Sequence, residues 1–262
     1  MHLIVTRPQA QAAGWVRELQ ALGLAASALP LIEITALDDP APLRQAWRDL
    51  SQRTLVMFVS ANAVVHFFAA APPGRGWPAG VLAGSTGPGT SAALRSAGVP
   101  VPLLVEPAAD APKFDSEALW ARLADREWVG RSVLVVRGED GRDWLAETLR
   151  ERGAAVDFLA AYRRRPPALT IAEQALLQQS LADPAGHLWL FSSSEAVGHL
   201  RVLAPAADWT RSAALASHPR IAQAAGAAGF GRVDLVAPRP AAVAAATAAW
   251  PGQVAPIESR PQ

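Results

Sequence analysis

Tyr162 is the only tyrosine among 262 residues. It closes an extended stretch from Ala154 and precedes Arg163-Arg164-Arg165-Pro166-Pro167. A phenol at a strand end can donate a proton to a leaving group or accept a hydrogen bond from a ligand. It can equally pack its ring at an interface. Serines follow two other apolar runs: Ser60 in Phe58-Val59-Ser60-Ala61-Asn62, and Ser192, Ser193 and Ser194 in Phe191-Ser192-Ser193-Ser194-Glu195. Each can be a helix N-cap, a ligand contact, or both. Arg7 in Val5-Thr6-Arg7-Pro8 and Arg137 in Val136-Arg137-Gly138-Glu139 also end short apolar runs. Surface ion pairing is the plain alternative for both. Gly84 to Thr90 and Ser217 to Arg220 complete the set of strand ends. Nearly all these residues are small, hydroxylic or Arg. Open α/β sheets bind ligands beyond the carboxyl ends of their strands. Helix N-termini there offer free N–H groups and a positive dipole end. Two such edges facing each other would make a cleft, so the expected ligand is a large anion.

Other chemistries are excluded. There is no cysteine, hence no disulfide, thiolate zinc site or cysteine nucleophile. The five histidines, His2, His66, His187, His199 and His218, show no metal-ligand spacing. Gly84-Ser85-Thr86-Gly87-Pro88-Gly89 lacks the G-x-G-x-x-G order, and Pro88 removes an N–H donor, so no dinucleotide cofactor is expected. No P-loop and no G-x-S-x-G elbow occur. A net charge of +1 speaks against nucleic acid as a partner. Hydrophobic residues at 51% and charged ones at 18% supply a full core, which rules out a mainly disordered chain. Thr54 to Gly74 has no charged residue, but Ser60, Asn62, His66 and Pro72-Pro73-Gly74 fit a buried strand and helix better than a membrane span. The apolar run after Met1 is too short for a secretory signal. A cytoplasmic protein without metal or membrane is expected.

The elements that position these residues recur. Leu3-Ile4-Val5 reads as a strand, Trp15, Leu19 and Leu22 as the apolar face of a helix stopped by Gly23, and Leu24 to Ile34 as extended chain. The same βαβ pattern returns 130 residues on, placing Val135 on Val5, Arg137 on Arg7, Leu149 on Leu19 and Gly153 on Gly23. Phe58 to His66 matches Phe191 to His199 at an offset of 133, and Pro88 to Pro107 matches Pro219 to Pro238 at 131. Three segments in the same order argue for an internal duplication, with two similar α/β domains of parallel sheets covered by helices on both faces. Linkers are expected near 35–42 and 162–168. They pair 1–35 and 167–262 as one discontinuous domain and leave 38–163 as the other, although a plain split near residue 130 is also compatible. Trp15, Trp120 and Trp144 fall at helical core positions, and 254–262 reads as a disordered tail.

Taken together, the pattern resembles the uroporphyrinogen-III synthase family over nearly the whole chain. The motifs are Val5-Thr6-Arg7-Pro8 with Leu29-Pro30-Leu31; Phe58 to Val64; Gly87-Pro88-Gly89-Thr90 with Leu94 and Gly98; Arg137-Gly138-Glu139-Asp140-Gly141-Arg142 through Tyr162-Arg163-Arg164; Phe191 to Val197; and Ser217 to Ala222. Each is weak alone, and the six in order are specific. The resemblance implies two flavodoxin-like domains joined by a two-stranded linker, a monomer, and no cofactor or metal. It implies hydroxymethylbilane, a linear tetrapyrrole octacarboxylate, as substrate. The implied reaction is a dehydrating ring closure that inverts the last ring to give uroporphyrinogen III.

By the same resemblance, Tyr162 matches the tyrosine that assists loss of the hydroxyl. Ser60, Thr90 and Ser193 match cleft hydroxyls, with Ser192 or Ser194 as alternatives to the last. Arg7 matches the Thr-Arg-Pro arginine, His218 or Arg220 stands in for a threonine contact absent at Ile221, and Asn62, Arg137 and Gly138, from their places at the strand ends, are further candidate substrate contacts. Ile221 and Val59 depart from the pattern, standing where threonine is frequent. A non-catalytic two-domain anion-binding protein is the alternative. A sugar-nucleotide transferase is disfavoured by the missing diphosphate loop.

Overall fold

The protein is described here from a computed structural model, which covers residues 1–111, 113–139 and 143–250. Asp140, Gly141 and Arg142 of the fourth motif, and the tail expected at 254–262, lie outside the described residues.

In chain order the elements begin β1 (His2–Val5), α1 (Gln9–Ala21), β2 (Ala25–Ala28), β3 (Glu33–Ala36), α2 (Ala41–Arg48), β4 (Leu55–Phe58), α3 (Ala61–Ala69), β5 (Leu82–Ser85), α4 (Pro88–Ser96) and β6 (Leu104–Val105). They continue α5 (Ser116–Trp120), β7 (Ser132–Gly138), α6 (Trp144–Glu151), β8 (Ala155–Arg165), α7 (Ile171–Ala182), β9 (His187–Phe191), α8 (Ser194–Leu203), β10 (Ala213–Ala216), α9 (Pro219–Ala227), β11 (Arg232–Leu235) and α10 (Pro240–Ala248).

The two glycines expected to stop helices do so. Gly23 and Gly153 follow the C-caps of α1 and α6 with φ of +81° and +87°, a conformation that costs a β-carbon-bearing residue free energy. The extended stretch from Leu24 to Ile34 divides into β2 and β3. Pro30 lies between them and has no N–H to donate. Leu29 still donates to the Val5 carbonyl at 2.9 Å, so the chain leaves β2 along the end of β1.

The chain forms two compact units, one of Met1–Glu33 with the residues from Arg165 onward, the other of Ile34–Arg164. The first holds a five-stranded sheet in the order β11-β10-β9-β1-β2, with neighbouring strands parallel. Counted within that unit from β2, this is the 2-1-3-4-5 order of flavodoxin-like doubly wound sheets. The second holds a six-stranded sheet in the order β3-β8-β7-β4-β5-β6. With β7-α6-β8 taken as its leading βαβ unit, the run β8-β7-β4-β5-β6 has the same order, and β3 adds an edge. The expected α/β class with parallel sheets is what is found.

Strands covered on both faces should be apolar throughout, and β4 is buried at all four positions, Leu55-Val56-Met57-Phe58. One face of its sheet packs Trp47, Phe58, Val64, Phe67 and Val136; the other packs Leu55, Met57, Leu119, Trp128 and Leu149. Trp47 is fully buried and its Nε1–H donates to the Phe67 carbonyl at 2.8 Å, so the indole brings no unpaired donor inside. The fully buried tryptophans are Trp47, Trp128 and Trp189, rather than Trp15, Trp120 and Trp144. Trp15 and Trp120 are half-buried and pack against their cores as expected, and each also carries a guanidinium: Arg7 lies 4.1 Å from the Trp15 ring centroid and Arg152 lies 5.5 Å from that of Trp120. Those rings are half-buried platforms for guanidinium groups. Trp144 stands at the first position of α6 and is exposed.

Candidate functional site

In the Ile34–Arg164 unit, four expected residues converge on the carboxyl edge of the sheet. β4 ends at Phe58, and the chain turns through Ser60 into α3. Ser60 is fully extended (φ −162°, ψ 162°), and its Oγ accepts from the Ala63 N–H at 3.2 Å. The expected capping role is therefore real. The same oxygen lies 3.1 Å from the Tyr162 hydroxyl. Asn62 is the second residue of α3 and half-buried, on the same turn.

Tyr162 reaches Ser60 because β8 is irregular. Arg137 stands opposite Ala160 in the β7–β8 register, but Gly138 stands opposite Tyr162, leaving Ala161 as an extra residue. Strand side chains alternate faces, so a regular strand would send Leu159 and Ala161 one way and Tyr162 the other. The bulge puts Tyr162 into the core that holds Leu159 and Ala161. Its ring is buried, 2% exposed, and lies near-parallel to His66 with centroids 5.8 Å apart. On the other side is Gly138. A β-carbon there would sit 3.2 Å from Tyr162 Cζ and 3.3 Å from Cε2, so only hydrogen fits without displacing the phenol. Burial holds the His66 imidazole below its ordinary pKa.

The neighbouring strand ends in the same unit are tied down. Ser85 and Ser91 share a hydrogen bond at 2.5 Å, and Thr86 Oγ1 donates to the Val59 carbonyl at 3.2 Å. Thr90 is buried in the first turn of α4. Arg137 pairs with Asp143 and lies 4.1 Å from the Phe158 ring centroid. Arg163 spans Asp38 at 2.9 Å and Glu139 at 3.5 Å.

In the other unit, Thr6 is buried and its Oγ1 donates to the Leu190 carbonyl at 2.8 Å, which fixes the end of β1 beside β9. Arg7 donates to Gln11 Oε1 at 3.1 Å and covers Trp15. Burial pulls its guanidinium below the ordinary value, though arginine stays protonated in proteins. Ser193 caps α8, accepting from the Glu195 N–H at 3.2 Å. Ser192 precedes it half-buried, and Ser194 follows on the exposed first turn. His218 caps α9, its Nδ1 accepting from the Arg220 N–H at 3.2 Å, and both side chains are exposed. Ile221 is buried.

The structure thus brings Tyr162, Ser60, Asn62 and Gly138 together, and separately groups Ser192, Ser193 and Ser194. His66 is the neighbour that sequence reasoning missed. The 133-residue offset pairs it with His199, whose Nδ1 lies 2.7 Å from the Leu31 carbonyl. That pairing marked the position, but its contact with Tyr162 depends on the bulge. Chemically, the Tyr162–Ser60 pair can pass or deliver a proton, and the N-terminus of α3 favours negative charge developing beside it. Among the described residues, no three His, Asp or Glu side chains gather to hold a metal ion. No helix among them is long and apolar enough to cross a membrane.

Residues 13–246 match the family model described as uroporphyrinogen-III synthase HemD. The chain is 32% identical over 180 residues to the uroporphyrinogen-III synthase of Salmonella typhimurium, covering 67% of this chain and 70% of that one. It is 29% identical over 167 residues to the enzyme of the same name from Proteus mirabilis, covering 63% and 80%. In fold it is similar to a crystal structure of a mutant uroporphyrinogen III synthase from Thermus thermophilus, at a TM-score of 0.57 and 19% identity, over 95% of this chain and 97% of that one. The uroporphyrinogen-III synthetase structure from Helicobacter pylori gives the same TM-score of 0.57 at 16% identity, with the same coverage.

Proposed function

We propose a mechanism from a plain premise: the chain belongs to the uroporphyrinogen-III synthase family. Its reaction is the dehydrating cyclisation of hydroxymethylbilane to uroporphyrinogen III, a step of tetrapyrrole and haem biosynthesis. In our reading Tyr162 protonates the departing hydroxyl. The C–O bond breaks, water leaves, and the pyrrole nitrogen supplies the electron pair, giving an azafulvene that still carries the N–H proton and a positive charge. The substituted carbon of the last ring attacks it and forms a spiro intermediate. In that intermediate the bond from the substituted carbon to its original bridging methylene breaks, the ring's free α-carbon closes on that methylene, and its proton returns to the Tyr162 phenolate.

The observation that carries this reading is the Tyr162–Ser60 contact of 3.1 Å. Ser60 Oγ already accepts from the Ala63 N–H. If Ser60 donates its own proton to the phenol oxygen, the Tyr162 proton is free for the substrate. Negative charge left on the phenol then faces the Ser60 hydroxyl and the N-terminus of α3. Nothing in this scheme asks for a strong nucleophile. The task is to hold one conformation of the chain and to stabilise charge as it moves.

Substrate carboxylates, in this reading, are met by Arg7, Arg137, Arg220 and His218, and by the hydroxyls and N–H groups of Ser60, Thr90, Ser192, Ser193 and Ser194. Asn62 and Gly138 complete the contacts. The two units are read as domains joined through β3 and β8. We take the enzyme to be a cytoplasmic monomer, which light scattering and cell fractionation check. The direct test of the chemistry is Tyr162→Phe: turnover should fall while the fold persists. Unchanged turnover would reduce Tyr162 to a packing residue.

A further inference from the structure

We propose that the cavity between α2 and α3 is a binding site for a small ring bearing carboxylates. The cavity measures about 500 Å³ and lies within the Ile34–Arg164 unit. That falls in the ordinary range for small-molecule sites. Arg44 and Arg48 line it from α2, one helical turn apart. Residues so spaced sit on one helix face, about 6 Å apart at their β-carbons. His66 lines it from α3, and Leu37, Leu43 and Ala161 supply apolar wall.

Charge argues for an anionic ligand. Arg53, Arg95, Arg137 and Arg163 of the same unit each meet a carboxylate. The Arg44 side chain has no hydrogen bond or ion pair among the described residues, and Arg48 is held by the neutral Gln45 Oε1, 2.8 Å from its Nε. Two guanidinium groups therefore border one cavity without a carboxylate to neutralise them. Arginine's planar fork suits carboxylate oxygens, which it binds in pairs.

Shape argues for a ring. The walls between the charges are alanine, proline and leucine side chains, which reward an apolar body rather than a bare ion. The half-buried His66 imidazole adds a flat surface, and burial favours its neutral form. His66 also joins this cavity to the phenol: its ring packs on Tyr162, and Ala161 is the bulged residue just before it. An occupant would press on the same imidazole that backs Tyr162.

A carboxylated ring could come from two sources. One is a ring of the tetrapyrrole substrate, an assignment that rests on the synthase reading. The other is a free monocyclic carboxylate, which does not. The test uses phthalate, a benzene ring with two adjacent carboxylates, titrated calorimetrically into the full chain. Saturable binding should occur, weaken about tenfold or more in Arg44→Ala/Arg48→Ala, and persist in Arg95→Ala, whose guanidinium meets Glu106 away from this cavity. Circular dichroism confirms that each variant folds.

Absence of phthalate binding, or equal binding by the double arginine variant, would overturn the proposal. Steady-state kinetics then separate the sources. A raised KM for hydroxymethylbilane in the double variant identifies a substrate ring; an unchanged KM beside weakened phthalate binding identifies a separate ligand. Failure of the synthase reading shows independently, as absence of the III isomer from the unaltered chain.

Discussion

The hydroxyl of Ser60 lies 3.1 Å from the hydroxyl of Tyr162, although 102 residues separate them in the chain. The contact needs both strand ends at one sheet edge and a bulge in β8 that turns the phenol toward α3. It couples a helix cap to the only tyrosine in the protein.

Tyr162→Phe removes the proton donor and leaves the ring in place. Turnover for hydroxymethylbilane should fall about a hundredfold, within the range that general acids contribute. Stability should change by about 1 kcal/mol at most, because Ser60 keeps its bond to Ala63. Rapid kinetics and thermal unfolding together check this. Equal turnover at equal stability would remove the residue from the mechanism.

Gly138→Ala tests the geometry from the other side. The added β-carbon would stand 3.2 Å from Tyr162 Cζ, so the phenol must shift or the strands part. Overpacking of this kind costs about 1–3 kcal/mol. Turnover should fall about tenfold with KM little changed. Labelled tyrosine gives one ring signal in this chain, and that signal should move. A stationary signal would show that Gly138 does not position Tyr162.

The two unit edges were legible from residue type and repetition. Ser60 and Ser193 stand as N-caps at matching places, and Gly23 and Gly153 end matching helices. The orientation of Tyr162 was not legible, since period-two alternation sends it to the wrong face and nothing in Leu159-Ala160-Ala161-Tyr162 announces a bulge. Trp15 and Trp120 fit a helical core pattern and pack at the edge of the core, where Arg7 from just before α1 and Arg152 from the end of α6 cover their rings. Apolar periodicity does not distinguish a core from a guanidinium platform. The extended run after Leu24 divided at Pro30, a breaker visible in advance.

The serine cluster of the other unit sorts by capping. Ser193→Ala should cost about 1 kcal/mol through loss of the bond to the Glu195 N–H, whereas Ser192→Ala should cost much less. Comparing KM in the two variants at matched temperature separates capping from substrate contact. Equal stability of both variants would contradict the assigned cap.

Stability should depend on pH through the histidines. Burial holds His66 below its ordinary value, and burial with His187 and the N-terminus does the same for His2. The unfolded chain therefore binds more protons than the folded one as pH falls below about 6.5. Stability should be full above that pH and decline as acid protonates the unfolded histidines. His66→Gln should flatten part of the decline between about pH 7 and 5, measured by urea unfolding. An unchanged slope would show that His66 is not held neutral.

The central claim is isomer-specific ring closure. The most direct measurement generates hydroxymethylbilane in situ, adds the purified chain without added cofactor, oxidises the products and separates the porphyrin isomers. A predominance of the III isomer is predicted. The I isomer alone, from a demonstrably folded protein, would contradict the account.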